Sequence, residues 1–194
     1  MAQVQALCAQ LRGDGDGALS SAAQVELAQR LGLLVRGSDE AGLQRKAAAV
    51  ESGAAAHLVA CLESATCCEH VCAAALTLTV LSSGTDGRAD ERVAALLAAG
   101  LAAQLVSAMR RVLQEERQRV VQQGRALRQL AWCLTNITFG GEDATGAKTQ
   151  AARAGAVEVL LHALAQQQRH DASADGAQEY LLWALGNICA GEDE

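Results

Sequence analysis

Leu134-Thr-Asn-Ile-Thr-Phe-Gly140 and Leu185-Gly-Asn-Ile-Cys-Ala-Gly191 are two versions of one pattern, an apolar helix end closed by a glycine. Looser versions stand upstream as Leu31-Gly-Leu-Leu-Val-Arg-Gly37 and Leu78-Thr-Val-Leu-Ser-Ser-Gly84, and the four closing glycines lie 47, 56 and 51 residues apart. A second marker, a glycine leading into an apolar helix, falls between successive closing glycines. It reads Gly53-Ala-Ala-Ala-His-Leu-Val-Ala-Cys-Leu62, Gly100-Leu-Ala-Ala-Gln-Leu-Val-Ser-Ala-Met109 and Gly155-Ala-Val-Glu-Val-Leu-Leu-His-Ala-Leu164. Self-similarity at such a period marks an array in which no unit buries its apolar faces alone and each stacks on the next.

Three helical stretches fit within each unit. The first is short, as in Thr145 to Ala154, and stops at a glycine suited to a left-handed C-terminal cap. The second is the apolar helix after that glycine. The third is longer, as from Arg125 to Phe139, where Leu127, Leu130, Ala131, Leu134 and Ile137 recur at helical spacing. The third helices are expected over 22–36, 68–83, 124–139 and 178–190. The chain divides accordingly into a partial unit at 1–37 and full units at about 38–84, 85–140 and 141–194. These units are longer than the 40–47 residues usual for armadillo and HEAT repeats. The excess falls in polar stretches, Gln114 to Gln123 and Gln166 to Gly176. Composition agrees with an all-α chain: 51% of residues are hydrophobic but only 2% aromatic, and there is no proline. Ala, Leu and Val therefore supply the core, and glycine alone punctuates it.

Charge and cysteine usage narrow the function classes. A net charge of −6 argues against a nucleic-acid surface and suits a basic partner. Seven cysteines without a framework spacing read as reduced thiols, hence an expected location in cytoplasm and nucleus. No apolar run is long enough to predict a membrane span, and Met1 to Gln10 lacks the parts of a secretory signal. Cys67-Cys68-Glu69-His70-Val71-Cys72 offers metal-ligand types, but four converging ligands are required for structural zinc and no second pair is suitably spaced. Asp14-Gly15-Asp16-Gly17 lacks the later ligands of a calcium loop. No nucleophile, base and orienting group come together in the sequence, so neither an enzyme nor a cofactor is expected.

Two third helices carry an i, i+4 pair, Trp132 with Asn136 and Trp183 with Asn187, which puts each indole one turn from its amide on one helix face. An Asn amide both donates to and accepts from a peptide group. A neighbouring indole walls the aliphatic stem of Lys or Arg, with a cation–π contribution of about 0.5–2 kcal/mol. Repeated on adjacent helices, the pairs make a ladder for an extended peptide, with every second ligand side chain in a Trp-walled slot. One such pair alone would read as a packed helix seam. Two in register, in a chain with only two tryptophans, favour binding.

Ala131-Trp-Cys-Leu-Thr-Asn-Ile137 and Leu182-Trp-Ala-Leu-Gly-Asn-Ile188 closely resemble third helices of the importin α (karyopherin α) family of armadillo-repeat nuclear import adaptors. The resemblance is strongest over about 124–194 and extends through Gly140, Thr145 and Ala152-Arg-Ala-Gly-Ala-Val157. It implies a right-handed α-solenoid whose third helices line the concave wall, and a ladder that holds the basic residues of a nuclear localisation signal. It also implies a lysine pocket built from Gly140, Thr145 and an acidic group. Gly191 stands where the family has aspartate, so Glu192, with Asp193 beside it, is the expected acid.

The chain departs from the family elsewhere. Gln29 with Leu33, and Leu76 with Val80, occupy the ladder positions of the first two third helices. Glu158, Ala56 and Ala103 replace a proline that opens the second helix, and no basic autoinhibitory segment precedes the array. The densest basic spots are Arg45-Lys46 and Arg110-Arg111. The sequence stops at Gly191-Glu-Asp-Glu194, where another unit would begin, as in a fragment or a short divergent relative. The expected function is therefore recognition of basic cargo segments for import, with an importin β-type carrier as the second partner that the resemblance brings in. An armadillo scaffold without a transport role is the alternative.

Overall fold

The computed structural model describes residues 1–13, 19–84, 86–114, 120–139, 146–169 and 176–190, among which there are eleven α-helices and no strand. In chain order they are α1 (Ala2–Arg12), α2 (Ser21–Leu34), α3 (Glu40–Glu51), α4 (Ala54–Ser64), α5 (Cys68–Ser82), α6 (Ala89–Ala98), α7 (Leu101–Gln114), α8 (Val120–Thr138), α9 (Ala147–Arg153), α10 (Ala156–Arg169) and α11 (Ala177–Cys189). The four helices expected to be longest in their units fall at α2, α5, α8 and α11. The described ends of the polar stretches are more helical than expected. α8 begins at Val120, and α10 runs on to Arg169 with Gln167 buried. Gln and Arg are good helix formers, so polarity alone does not end a helix.

One glycine turn is used three times. Gly53, Gly100 and Gly155 sit between α3 and α4, α6 and α7, and α9 and α10, with φ of 79°, 86° and 84°. Each closes the preceding helix by donating its N–H at 2.9 Å, to the carbonyls of Val50, Leu97 and Ala152 respectively. A positive φ is cheap for glycine and strained for a residue with a Cβ, so the chain reverses where the sequence puts glycine.

α2, α5, α8 and α11 pack side by side in chain order, and α1, α4, α7 and α10 form a second row behind them. A single apolar core runs between the rows from Val4 to Ile188. Leu58, Leu78, Leu105, Leu130 and Leu134 are fully enclosed in it. Truncating any one of them to Ala would cost about 2–5 kcal/mol.

Buried and half-buried cations tie successive segments together through helix C-termini, where carbonyls lack intrahelical partners. Arg45 Nε donates to the Leu34 carbonyl at 2.7 Å, and Arg92 Nε to the Leu81 carbonyl at 3.3 Å, each reaching 11 residues back. Lys46 Nζ meets the Ser83 carbonyl at 3.2 Å, and Lys148 Nζ the Ala190 carbonyl at 3.5 Å. Arg92 is also clamped by both oxygens of Asp86, at 2.6 and 2.7 Å. Among the described residues no single helix is long and apolar enough to cross a membrane.

Candidate functional site

The seams between α5, α8 and α11 are built from equivalent hydrogen bonds. Asn136 Nδ2 donates to the Thr79 carbonyl at 3.1 Å and lies 3.4 Å from Ser82 Oγ. Asn187 Nδ2 donates to the Thr135 carbonyl at 3.3 Å and lies 3.4 Å from Thr138 Oγ1. In the opposite direction Thr79 Oγ1 donates to the Gln129 carbonyl at 3.4 Å, and Thr135 Oγ1 to the Tyr180 carbonyl at 3.3 Å. Gln129 and Tyr180 each stand three residues before a Trp. The two Trp/Asn pairs therefore occupy corresponding places on neighbouring helices.

The α2–α5 seam keeps the same register with its side chains exchanged. Gly32 stands at the place of Thr79, and a Cβ there would lie 2.5 Å from Thr77 Oγ1. Thr77 fills the space instead and donates to the Ala28 carbonyl at 2.8 Å. The corresponding residue in α8, Cys133, is fully enclosed beside Thr79 and Ser82. Burial pushes its thiol up to about 12, although hydrogen bonds with Thr79 and Ser82 pull the other way. This register places Gln29 and Leu33 of α2, and Leu76 and Val80 of α5, in line with the Trp/Asn pairs of α8 and α11.

The two aromatic rungs differ. Trp132 is half-buried and stacks on Tyr180, with ring centroids 5.2 Å apart and planes 24° from parallel. The Arg128 guanidinium carbon lies 5.7 Å from the centre of the same tyrosine ring. Trp183 is 48% exposed and has no aromatic neighbour among the described residues. The indole is thus open at Trp183, whereas at Trp132 a tyrosine ring already lies against it. Flanking Trp132, Arg128 Nε and Gln129 Oε1 are enclosed without a hydrogen-bond partner among the described residues. These are polar groups whose burial is costly unless something meets them.

Of the residues singled out from sequence, Trp132, Asn136, Trp183 and Asn187 come together on this wall. Gly140, Thr145, Glu192, Gly191 and Asp193 lie outside the described residues. Tyr180, Arg128 and Phe139 were not foreseen. The chain's two tryptophans, one tyrosine and one phenylalanine all belong to α8, α11 or the residue just after α8, a clustering visible in their positions along the sequence. Phe139 is 69% exposed.

The basic spots are occupied elsewhere. Arg110 donates to the Ala154 carbonyl at 2.9 Å, and Arg111 to the Leu62 carbonyl at 2.7 Å, so both bind the ends of neighbouring helices. In the Cys67–Cys72 segment, His70 Nδ1 shares a 2.9 Å hydrogen bond with Ser21 Oγ, and burial pushes the Cys72 thiol up to about 11. Among the described residues no three His, Cys, Asp or Glu side chains gather to hold a metal ion.

Compared with known proteins, the chain matches no family model and no curated sequence.

Proposed function

We propose that this chain is an armadillo-type solenoid related to importin α, and that it holds basic, extended segments of cargo proteins along α2, α5, α8 and α11. The observation that carries this is the equivalence of the Trp132/Asn136 and Trp183/Asn187 pairs on adjacent helices. With Nδ2 committed to the neighbouring helix, each Asn presents Oδ1 to accept a ligand backbone N–H. The open Trp183 ring offers a surface for a Lys or Arg stem. Nuclear import would add an importin β-type carrier and shuttling between cytoplasm and nucleus. We assign the wall to binding, with no catalytic step and no cofactor.

The test is calorimetric titration of a Lys/Arg-rich peptide into the intact chain. Saturable, salt-sensitive binding that falls about 2- to 30-fold in Trp183→Ala supports the proposal. Equal binding by Trp183→Ala and Asn187→Ala removes the wall from the site.

Arg128 and its unpartnered Nε favour a second reading, a scaffold whose ligand brings a carbonyl or carboxylate to Trp132. An acidic peptide that outcompetes the basic one, and loses that advantage in Arg128→Gln, selects it.

A further inference from the structure

We infer that the apolar end of the array formed by α10 and α11 pairs with the same end of a second copy of this chain, in a closed two-fold dimer. The basis is a helix seam that recurs inside the chain and stands open at this end.

The described seams show which positions each unit presents to the next. Val59 on α4 and Val106 on α7 stand six residues after their glycine turns, and Ala75 on α5 and Ala131 on α8 stand one residue before Leu76 and Trp132. All four are enclosed, none more than 5% exposed, where the following helices pack over them. Thr79 and Thr135, one turn further on, are buried and bonded across the seam.

In the unit of α10 and α11 the same places hold Leu161, Leu182 and Gly186. Leu161 is 53% exposed and Leu182 57%, and a Cβ added at Gly186 would meet nothing within 4 Å. The face therefore keeps the seam positions, fills two of them with larger apolar side chains, and has no described element over them.

The opposite end of the array is finished differently. Glu26 and Arg30 of α2 occupy the places from which Ala73 and Thr77 of α5 face the preceding helix. Both are exposed, and they lie 3.9 Å apart. A repeat array needs a polar outer face where it stops, which this pair supplies and two leucines do not. α2 is also a poor cover for Leu161 and Leu182, because its charges would lose water on contact. The surface of this chain that suits the apolar end is the apolar end itself.

α11 carries a knob and a notch one turn apart. A two-fold axis between Leu182 and Gly186 sets two α11 helices antiparallel, with Leu182 of each copy against Gly186 of the other. Glu179 of the two copies then lies at opposite ends of the contact, about 15 Å apart along the helices. Leu161 widens the apolar patch onto α10. A face that pairs with itself closes at two copies.

The experiment is sedimentation velocity of the intact chain over a hundredfold range of concentration, up to about 200 μM. A species of about 40 kDa, twice the 20.1 kDa of one chain, should replace the monomer as concentration rises. Leu182→Glu puts a charge at the centre of the contact and Gly186→Gln fills the notch, so each should leave only monomer. Both positions are open in the single chain, and helical circular dichroism checks that the variants fold. Glutamine is a better helix former than glycine, so Gly186→Gln cannot lose the dimer by weakening α11.

A parent chain that stays monomeric throughout overturns the proposal. A dimer that either folded variant retains places the contact on another face and overturns it as well. A mass that grows past two copies, and falls back in Arg30→Glu, would show stacking of the α2 end on the α11 end instead.

Discussion

Asn136 reaches from α8 to the carbonyl oxygen of Thr79 on α5, 3.1 Å away, and so joins two helices while lying on the wall proposed to bind peptide. The amide is thus structural on its Nδ2 side, and the proposed binding uses its Oδ1 side. Asn136→Ala should cost about 1 kcal/mol of stability, which lowers the thermal midpoint by about 2–4 °C in a chain of this size. Thermal unfolding followed by helical circular dichroism checks this. An unchanged midpoint would mean that the bond to Thr79 contributes nothing net.

Gly32 and Thr77 form a matched pair at the α2–α5 seam. A methyl at 32 meets the Thr77 hydroxyl, so Gly32→Ala should destabilise by about 1–3 kcal/mol. Thr77→Ala alone should cost about 1 kcal/mol through its bond to the Ala28 carbonyl. The double variant should be more stable than the sum of the two losses predicts, because the clash needs both side chains. A double-mutant cycle from urea unfolding measures the coupling, and strict additivity would contradict the close approach.

Arg92 lowers the Asp86 carboxyl to about 2, chiefly through their hydrogen bonds. A depressed folded-state pKa means that the ionised pair contributes fully above the unfolded value, about 3.9, and is lost as pH falls toward 2. Stability between pH 4 and pH 2 should therefore decline less steeply in Asp86→Asn than in the parent chain. Urea unfolding at three or four pH values in this window gives both slopes. Parallel slopes would show that the pair does not form in solution.

The seven thiols should divide by enclosure. Cys8, Cys68 and Cys133 are buried, and burial holds the Cys8 and Cys133 thiols above the ordinary range. Cys189 is exposed. Native-state maleimide labelling read by peptide mass spectrometry should mark Cys189 first and spare Cys133 until the chain unfolds. Early labelling of Cys133 would show that the α5–α8 seam opens.

Much of this arrangement was legible in the sequence, for reasons that can be named. Apolar spacing located α2, α5, α8 and α11 because each buries a stripe at helical period. Gly53, Gly100 and Gly155 marked the turns because only glycine takes their positive φ cheaply. Helix ends in polar stretches were less legible: nothing in the Gln-rich segments distinguishes a solvated helix from a connection, and α8 and α10 both proved longer. On the proposed wall, the i, i+4 spacing alone put Trp132 with Asn136, and Trp183 with Asn187, on one helix face. The stacking of Tyr180 on Trp132 did not, because it joins residues on different helices and depends on the seam register. The unequal openness of the two indoles follows from that contact. Arg128, 5.7 Å from the same tyrosine ring, is equally invisible to spacing along one helix.

Trp132 and Trp183 are the only tryptophans, so indole emission reports this wall and nothing else in the chain. Emission excited at 295 nm during titration of the lysine-rich peptide is the most direct measure of the central claim. The account predicts a saturable change that weakens with added salt and is lost in the Asn136→Ala, Asn187→Ala double variant. Emission that stays flat while the peptide demonstrably binds would place the binding surface elsewhere and contradict it.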